Sequence, residues 1–245
     1  MTKVLVTGSA GAIGVPVCRE LSRRGHDVRG FDRVHTPDVR RTIVGQLEDA
    51  DAVRDAVDGV DAVVHLAAHP FDAPFPELVG PNVLGLFHVL DAARGAGVSR
   101  VVLASSIQVV GRRKGRPGPA STRTAAPGNH YALTKLWAEQ MGRMYSRKFD
   151  LSVIAARVTW MVRNAEEARR MLMLERQDIY VSRGDVARFF AQAVEATDIR
   201  FAVLYAVGPD GAERVDLESS RRLIGYEPAD AWPAGLGFEL SEITD

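Results

Sequence analysis

KVLVTGSAGAIG, residues 3–14, is a short β-rich run closed by three glycines, and beyond it Ile13, Val17 and Leu21 recur every fourth residue. A strand-length apolar run, a tight turn and then a helical period read as strand, turn and amphipathic helix. Gly8, Gly11 and Gly14, with Ala12 and Ile13 between the last two, form the turn between them. There a missing Cβ lets a pyrophosphate approach backbone N–H groups and the helix N-terminus. Gly25 can close the first helix in a left-handed cap, and HDVRGFD then reads as a second strand ending at Asp32, eighteen residues beyond Gly14. A carboxylate there would accept hydrogen bonds from the adenosine ribose and repel a 2′-phosphate, so the expected cofactor is NAD rather than NADP. Arg33 beside it would stack on adenine, neutralise a phosphate or sit in water.

The same alternation runs on. Residues 49–57 read as a helix, 61–68 as a buried strand and its exit, 77–95 as a helix disturbed at its start by Pro81, and 100–106 as a strand. After a loop over 111–128, Asn129 can cap a helix with Leu133, Trp137, Met141 and Met144 on one face, and LSVIAARV (151–158) follows as a strand. Helices are expected over 164–176, over 186–196 with Asp185 as cap, and over 216–224, with a strand at 201–207. This pattern defines an α/β fold, a doubly wound parallel sheet of the Rossmann type, with ligands at the carboxyl ends of the strands. A single domain over 1–245 is expected, with 158–245 forming mostly a substrate-side lid and wall.

Lys plus Arg equals Asp plus Glu at 31 each, so no net field draws the chain to nucleic acid or a membrane surface, and small molecules are the expected partners. The one cysteine, Cys18, excludes an internal disulfide and a cysteine-based zinc site. No metal site is expected, and the chain reads as cytoplasmic. Chemistry is expected from Tyr131-Ala-Leu-Thr-Lys135, whose four-residue spacing stacks a phenol and an ammonium on one helix face. A nearby cation favours the phenolate, so Tyr131 would exchange a proton with a substrate hydroxyl, while Lys135 would also bond the nicotinamide ribose. Ser105 and Ser106 end the strand RVVLASS, where one hydroxyl would hold the substrate oxygen against the tyrosine.

Together TGSAGAIG (7–14), Asp32, GQLED (45–49), VVHLAA (63–68), Asn82, ASSIQVVG (104–111), YALTK (131–135) and Arg157 resemble the extended short-chain dehydrogenase/reductase family, the NAD-dependent epimerase/dehydratases. The resemblance implies that Leu47 borders adenine, that Leu66, Ala67 and Ala68 line the dinucleotide, and that Asn82 helps hold the active-site helix. It also selects Ser106 over Ser105 as the catalytic serine. Within the family the pattern is most similar to uronate dehydrogenases, with His69, Gln108 and Arg169 as substrate contacts; Arg169 falls where those enzymes bind the uronate carboxylate. Ile107 and Gln108 stand where they carry Asn-His, Pro70 where they carry a serine, and RVTWMVRN (157–164) departs from the nucleotide-sugar members. The short chain also argues against a nucleotide-sugar substrate.

The expected activity is hydride transfer from a sugar or sugar-acid hydroxyl to NAD. The alternatives are a sugar epimerase or dehydratase that recycles NAD, and a non-catalytic dinucleotide sensor. By the same resemblance helices 82–95 and 131–147 would pack a homodimer or larger homo-oligomer. The basic loop 111–128 reads either as a collector of anionic substrate or as a solvated loop.

Overall fold

The computed structural model describes residues 1–111 and 119–238. Seven strands, β1 (Lys3–Thr7), β2 (Asp27–Asp32), β3 (Arg41–Val44), β4 (Ala62–His65), β5 (Arg100–Ser106), β6 (Ser152–Val158) and β7 (Phe201–Ala206), form one sheet in the order β3-β2-β1-β4-β5-β6-β7. Every pairing is parallel. The order reverses between β1 and β4, which opens a crevice at their carboxyl ends. The strands from β4 to β6 are almost wholly buried, as a sheet covered on both faces requires. The edge strand β3 was not expected from sequence: RTIV is short, half-exposed and without a buried face to give it a period.

Helices cover both faces. On one, α1 (Gly14–Arg23) and α7 (Arg183–Glu195) pack together, with Val17, Leu21, Phe189 and Phe190 at the core. On the other lie α2 (Ala50–Val57), α4 (Gly85–Gly95) and α5 (His130–Phe149). α5 sits so close to the sheet that a Cβ on Gly142 would come within 2.8 Å of Val153 Cγ1. Of residues 158–245, α7, β7 and α8 (Leu217–Ile224) belong to these layers, while α6 (Ala165–Met173) stands apart on a smaller apolar cluster of Val162, Met171 and Tyr180.

Two expectations change. The predicted 77–95 helix is a short α3 (Phe75–Leu78), a wide π turn over Val79–Leu84 and then α4. Pro81, with no N–H to donate, sits inside the wide turn. Ser182, not Asp185, caps α7, accepting the Asp185 N–H at 2.9 Å. Asp185 is fully buried and accepts instead from the N–H groups of Ala229 and Asp230 and from Arg188. On α5, Leu133, Trp137 and Met144 are exposed, Met141 packs partly against the core, and Tyr131, Lys135 and Glu139 are buried.

An ion pair ties α5 to β6. Arg157 Nε and Nη2 donate to Glu139 at 2.7 and 2.8 Å, and Nη1 donates to Thr124 O and Tyr205 Oη. Both side chains are almost completely buried. Removing one partner strands the other charge in a low dielectric. Arg157→Met should therefore cost about 3–5 kcal/mol in urea unfolding, and the double change Arg157→Met with Glu139→Leu should recover most of that loss.

Candidate active site

β1 leaves the sheet through Gly8, whose φ of +69° lies in the left-handed region. A Cβ there would stand 2.6 Å from Ala67 N, on the exit of β4, and a Cβ on Gly14 would stand 2.1 Å from Gly8 O. These two positions thus exclude side chains, and the crevice between β1 and β4 is floored by backbone. α1 begins at Gly14 with no side-chain cap, which leaves Gly14 N at the positive end of its dipole, while Val15 N donates to Gly11 O and Pro16 has no N–H. Asp32 is fixed at the lip, its two oxygens accepting from Ala10 N at 3.0 Å and Arg33 N at 2.7 Å, and Arg33 is exposed. The backbone cradle, uncapped helix and acidic lip fit a dinucleotide, with Gly11, Ala12 and Ile13 on the turn and Leu66, Ala67 and Ala68 opposite. Leu47 is taken up by packing: its side chain lies within 2.5 Å of where a Gly85 Cβ would be, and its carbonyl meets His88 Nδ1 at 2.8 Å.

Tyr131 and Lys135 stand on the first turns of α5, which Asn129 caps by accepting the Ala132 N–H at 2.7 Å. Both are buried, and the Lys135 ammonium lies 5.6 Å from the Tyr131 ring centroid while donating to Ala104 O on β5 at 3.0 Å. Burial pushes the Tyr131 phenol above its usual range, and the Ser106 hydroxyl and the Arg163 charge pull it back. Burial also lowers Lys135 from 10.5 to about 8. The structure separates the two serines. Ser105 donates to Glu139 Oε1 at 2.6 Å and belongs to the structural ion pair, whereas Ser106 faces Tyr131.

Asn82 works as a strut from the π turn. It accepts from His69 N at 2.7 Å and donates to His69 O and to Thr134 Oγ1 on α5, so the β4 exit and the tyrosine helix are held in register. His69 turns its ring to its own loop, with Nδ1 meeting Phe71 O at 3.1 Å. Gln108 Oε1 accepts from Asn129 Nδ2 at 2.9 Å, which ties the turn after Ser106 to the α5 cap. Arg169 is half-buried on α6. The arginine that the structure brings to the phenol is Arg163, which the sequence reading passed over although it lies in the departing stretch RVTWMVRN. His65 is buried beneath the site with Nδ1 2.8 Å from Thr7 Oγ1, and burial and the Lys135 charge lower it to about 3, so it is neutral. Arg112, Arg113, Lys114 and Arg116 of the basic loop lie outside the described residues.

A backbone cradle at the strand-order reversal, with a serine, tyrosine and lysine converging at the end of β5, defines a dinucleotide-dependent oxidoreductase of the short-chain type. Residues 4–162 match the model of the NAD dependent epimerase/dehydratase family, and the chain belongs to it. Uronate dehydrogenase of Pseudomonas syringae pv. tomato is 29% identical over 94% of this chain and 82% of its own length. NAD-dependent glucose-6-phosphate dehydrogenase of Haloferax volcanii is 28% identical over 93% of each chain. Among solved structures, MoeE5 in complex with UDP-glucuronic acid and NAD is 26% identical with a TM-score of 0.83, over 98% of both chains.

The buried ammonium has a pH signature. The folded chain releases the Lys135 proton near pH 8, whereas the unfolded chain keeps it to about 10.5, so this group adds stability as pH climbs through that window. Below it, the charged, buried lysine costs the fold. Lys135→Met should gain on the wild type by roughly 2–4 kcal/mol more at neutral pH than at pH 10, read as the difference between the two urea curves, while losing activity.

Proposed function

We propose that the chain is an NAD-dependent dehydrogenase that oxidises a hydroxyl of a sugar acid. The observation that carries the reading is the convergence of Ser106, Tyr131 and Lys135 at the carboxyl edge of β5, beside a crevice only glycine can floor. The dinucleotide would lie on Gly8, Gly11, Ala12, Ile13 and Gly14, with its adenosine ribose on Asp32, whose negative charge disfavours a 2′-phosphate. Bound there, NAD supplies the hydride acceptor.

Tyr131, as phenolate, takes the proton of the substrate hydroxyl. Ser106 donates to the same oxygen and orients it. Lys135 holds the phenolate electrostatically, its own position set by Ala104 O. Asn82 and Gln108 keep the phenol in place through the β4 exit and the α5 cap. The uronate dehydrogenase and sugar-phosphate dehydrogenase relatives support oxidation of a small sugar derivative. A nucleotide-linked uronate is the second reading, because MoeE5 is matched over 98% of its chain and chain length therefore does not separate the two substrates. An epimerase would recycle its cofactor without net NADH, and the intact Ser106, Tyr131 and Lys135 set opposes a non-catalytic sensor.

We further propose that the enzyme is a cytoplasmic homodimer. Among the described residues no helix is long and apolar enough to cross a membrane. Phe87 on α4 and Leu133, Trp137 and Met144 on α5 are each 42–49% exposed, on the two helices that the family resemblance implies pack between subunits. A second copy would cover them. Phe87→Glu with Trp137→Glu should yield monomers by light scattering, and an unchanged dimer would exclude this face.

With purified protein and NAD, glucuronate or galacturonate should drive NADH formation faster than UDP-glucuronate does, and faster than NADP supports. Tyr131→Phe should lower turnover about 10³-fold while the dissociation constant of NAD stays within about threefold. Retained turnover removes Tyr131 as the base; NAD binding without turnover of any uronate removes the sugar-acid reading.

A further inference from the structure

β6 ends at Val158, and the chain runs through Trp160, Met161 and Val162 to Arg163 before α6 begins. Met161 and Val162 are buried and Trp160 bridges to Tyr180, so the backbone that presents Arg163 is anchored. It is pinned again at the residue itself: Arg163 N donates to Glu167 Oε2 at 3.0 Å, and Arg163 O accepts from Arg183 Nη2 at 2.9 Å. The guanidinium lies 4.3 Å over the Phe71 ring centroid and pairs through Nη2 with Glu167. Phe71 belongs to the loop after β4, and the next residue, Asp72, accepts the Tyr131 N–H at 3.3 Å. Arg163 therefore spans from the wall built on β6 to the loop after β4 whose next residue bonds the Tyr131 backbone, and its charge acts on the phenol.

We propose that Arg163, held on Phe71 and Glu167, is the residue that recognises the carboxylate of the substrate and sets the preference for sugar acids over neutral sugars. The inference rests on the sugar-acid reading of the site. A substrate whose hydroxyl sits between Tyr131 and Ser106 carries its acid group only a few bonds away, within the span of a cation stationed beside the phenol. A planar guanidinium fork suits a carboxylate, and stacking on an aromatic face leaves its edge donors in the plane to bond. Glu167 and Asp72 make the surroundings partly acidic. That balance admits a single negative charge and disfavours a dianionic phosphate ester.

The test compares kcat/KM of wild type, Arg163→Met, Arg163→Lys and Arg169→Met for glucuronate, glucose and glucose 6-phosphate, each with saturating NAD. The expected result is a glucuronate-to-glucose preference in the wild type that falls about 10-fold or more in Arg163→Met, through KM rather than kcat. Arg163→Lys should retain part of it, glucose 6-phosphate should remain the poorer anion, and Arg169→Met should move the preference less. The assignment is overturned if Arg163→Met lowers glucuronate and glucose by the same factor, if it moves neither, or if Arg169→Met alone collapses the preference. These results leave the sugar-acid reading standing, whereas a wild type that prefers glucose or glucose 6-phosphate, or turns over none of the three and no galacturonate either, overturns that reading and Arg163 with it.

Discussion

The site depends on a close approach of two strand exits. β1 and β4 lie side by side in the sheet, and where the order of strands reverses the chain must leave β1 toward one face and β4 toward the other. Gly8 makes that departure in the left-handed region, where a Cβ would stand 2.6 Å from Ala67 N, and a Cβ on Gly14 would stand 2.1 Å from Gly8 O. Backbone meets backbone there, so the crevice presents N–H groups to a ligand. The start of α1, the position of Asp32 and the orientation of the β4 exit all follow from this contact.

Around it the polar side chains fall into two separate networks. Ser105, Glu139, Arg157 and Tyr205 satisfy one another in the interior and reach out to the carbonyls of Ser121 and Thr124. Their work is to hold the segment leading into α5 against the sheet. Ser106, Tyr131 and Lys135 are held by fewer bonds and keep reactive atoms at the strand end. Tyr131, Lys135 and Glu139 stand four residues apart on one buried stripe of α5, so the same helix face serves chemistry at its start and structure further along.

That stripe also explains where the sequence could and could not be read. The glycine turn, Asp32 and the strand–helix alternation were legible because each obeys a local rule: a residue type, a spacing, a period. The reactive trio was legible once the family resemblance placed Ser106 opposite Tyr131. Which face of α5 meets the core was not legible, because its apolar period, Leu133, Trp137, Met141 and Met144, is as regular as a core stripe, yet Leu133, Trp137 and Met144 are exposed and Lys135 and Glu139 are buried. Only tertiary partners such as Ala104 O and Arg157 make burying Lys135 and Glu139 tolerable, and no local pattern announces them. Arg163 was missed for the same reason: its meaning comes from Phe71, ninety-two residues earlier in the chain.

Burial alone leaves the site electrostatically unbalanced. It raises the energy of a tyrosine phenolate and of a lysine ammonium alike, so each group is shifted toward its neutral form. Placed together, the two charges offset each other, and Tyr131 becomes easier to ionise when Lys135 keeps its proton than when it does not. His65 cannot supply the missing charge, because a second cation beside Lys135 in the same dry volume is disfavoured. Burial therefore opposes the phenolate, and what favours it is its partners: the Ser106 hydroxyl, the Arg163 charge and Lys135 while it keeps its proton. In the proposed reaction, a proton leaving a substrate hydroxyl for Tyr131 would discharge the phenolate and leave Lys135 uncompensated again, so the pair would be restored only when that proton passed on to solvent.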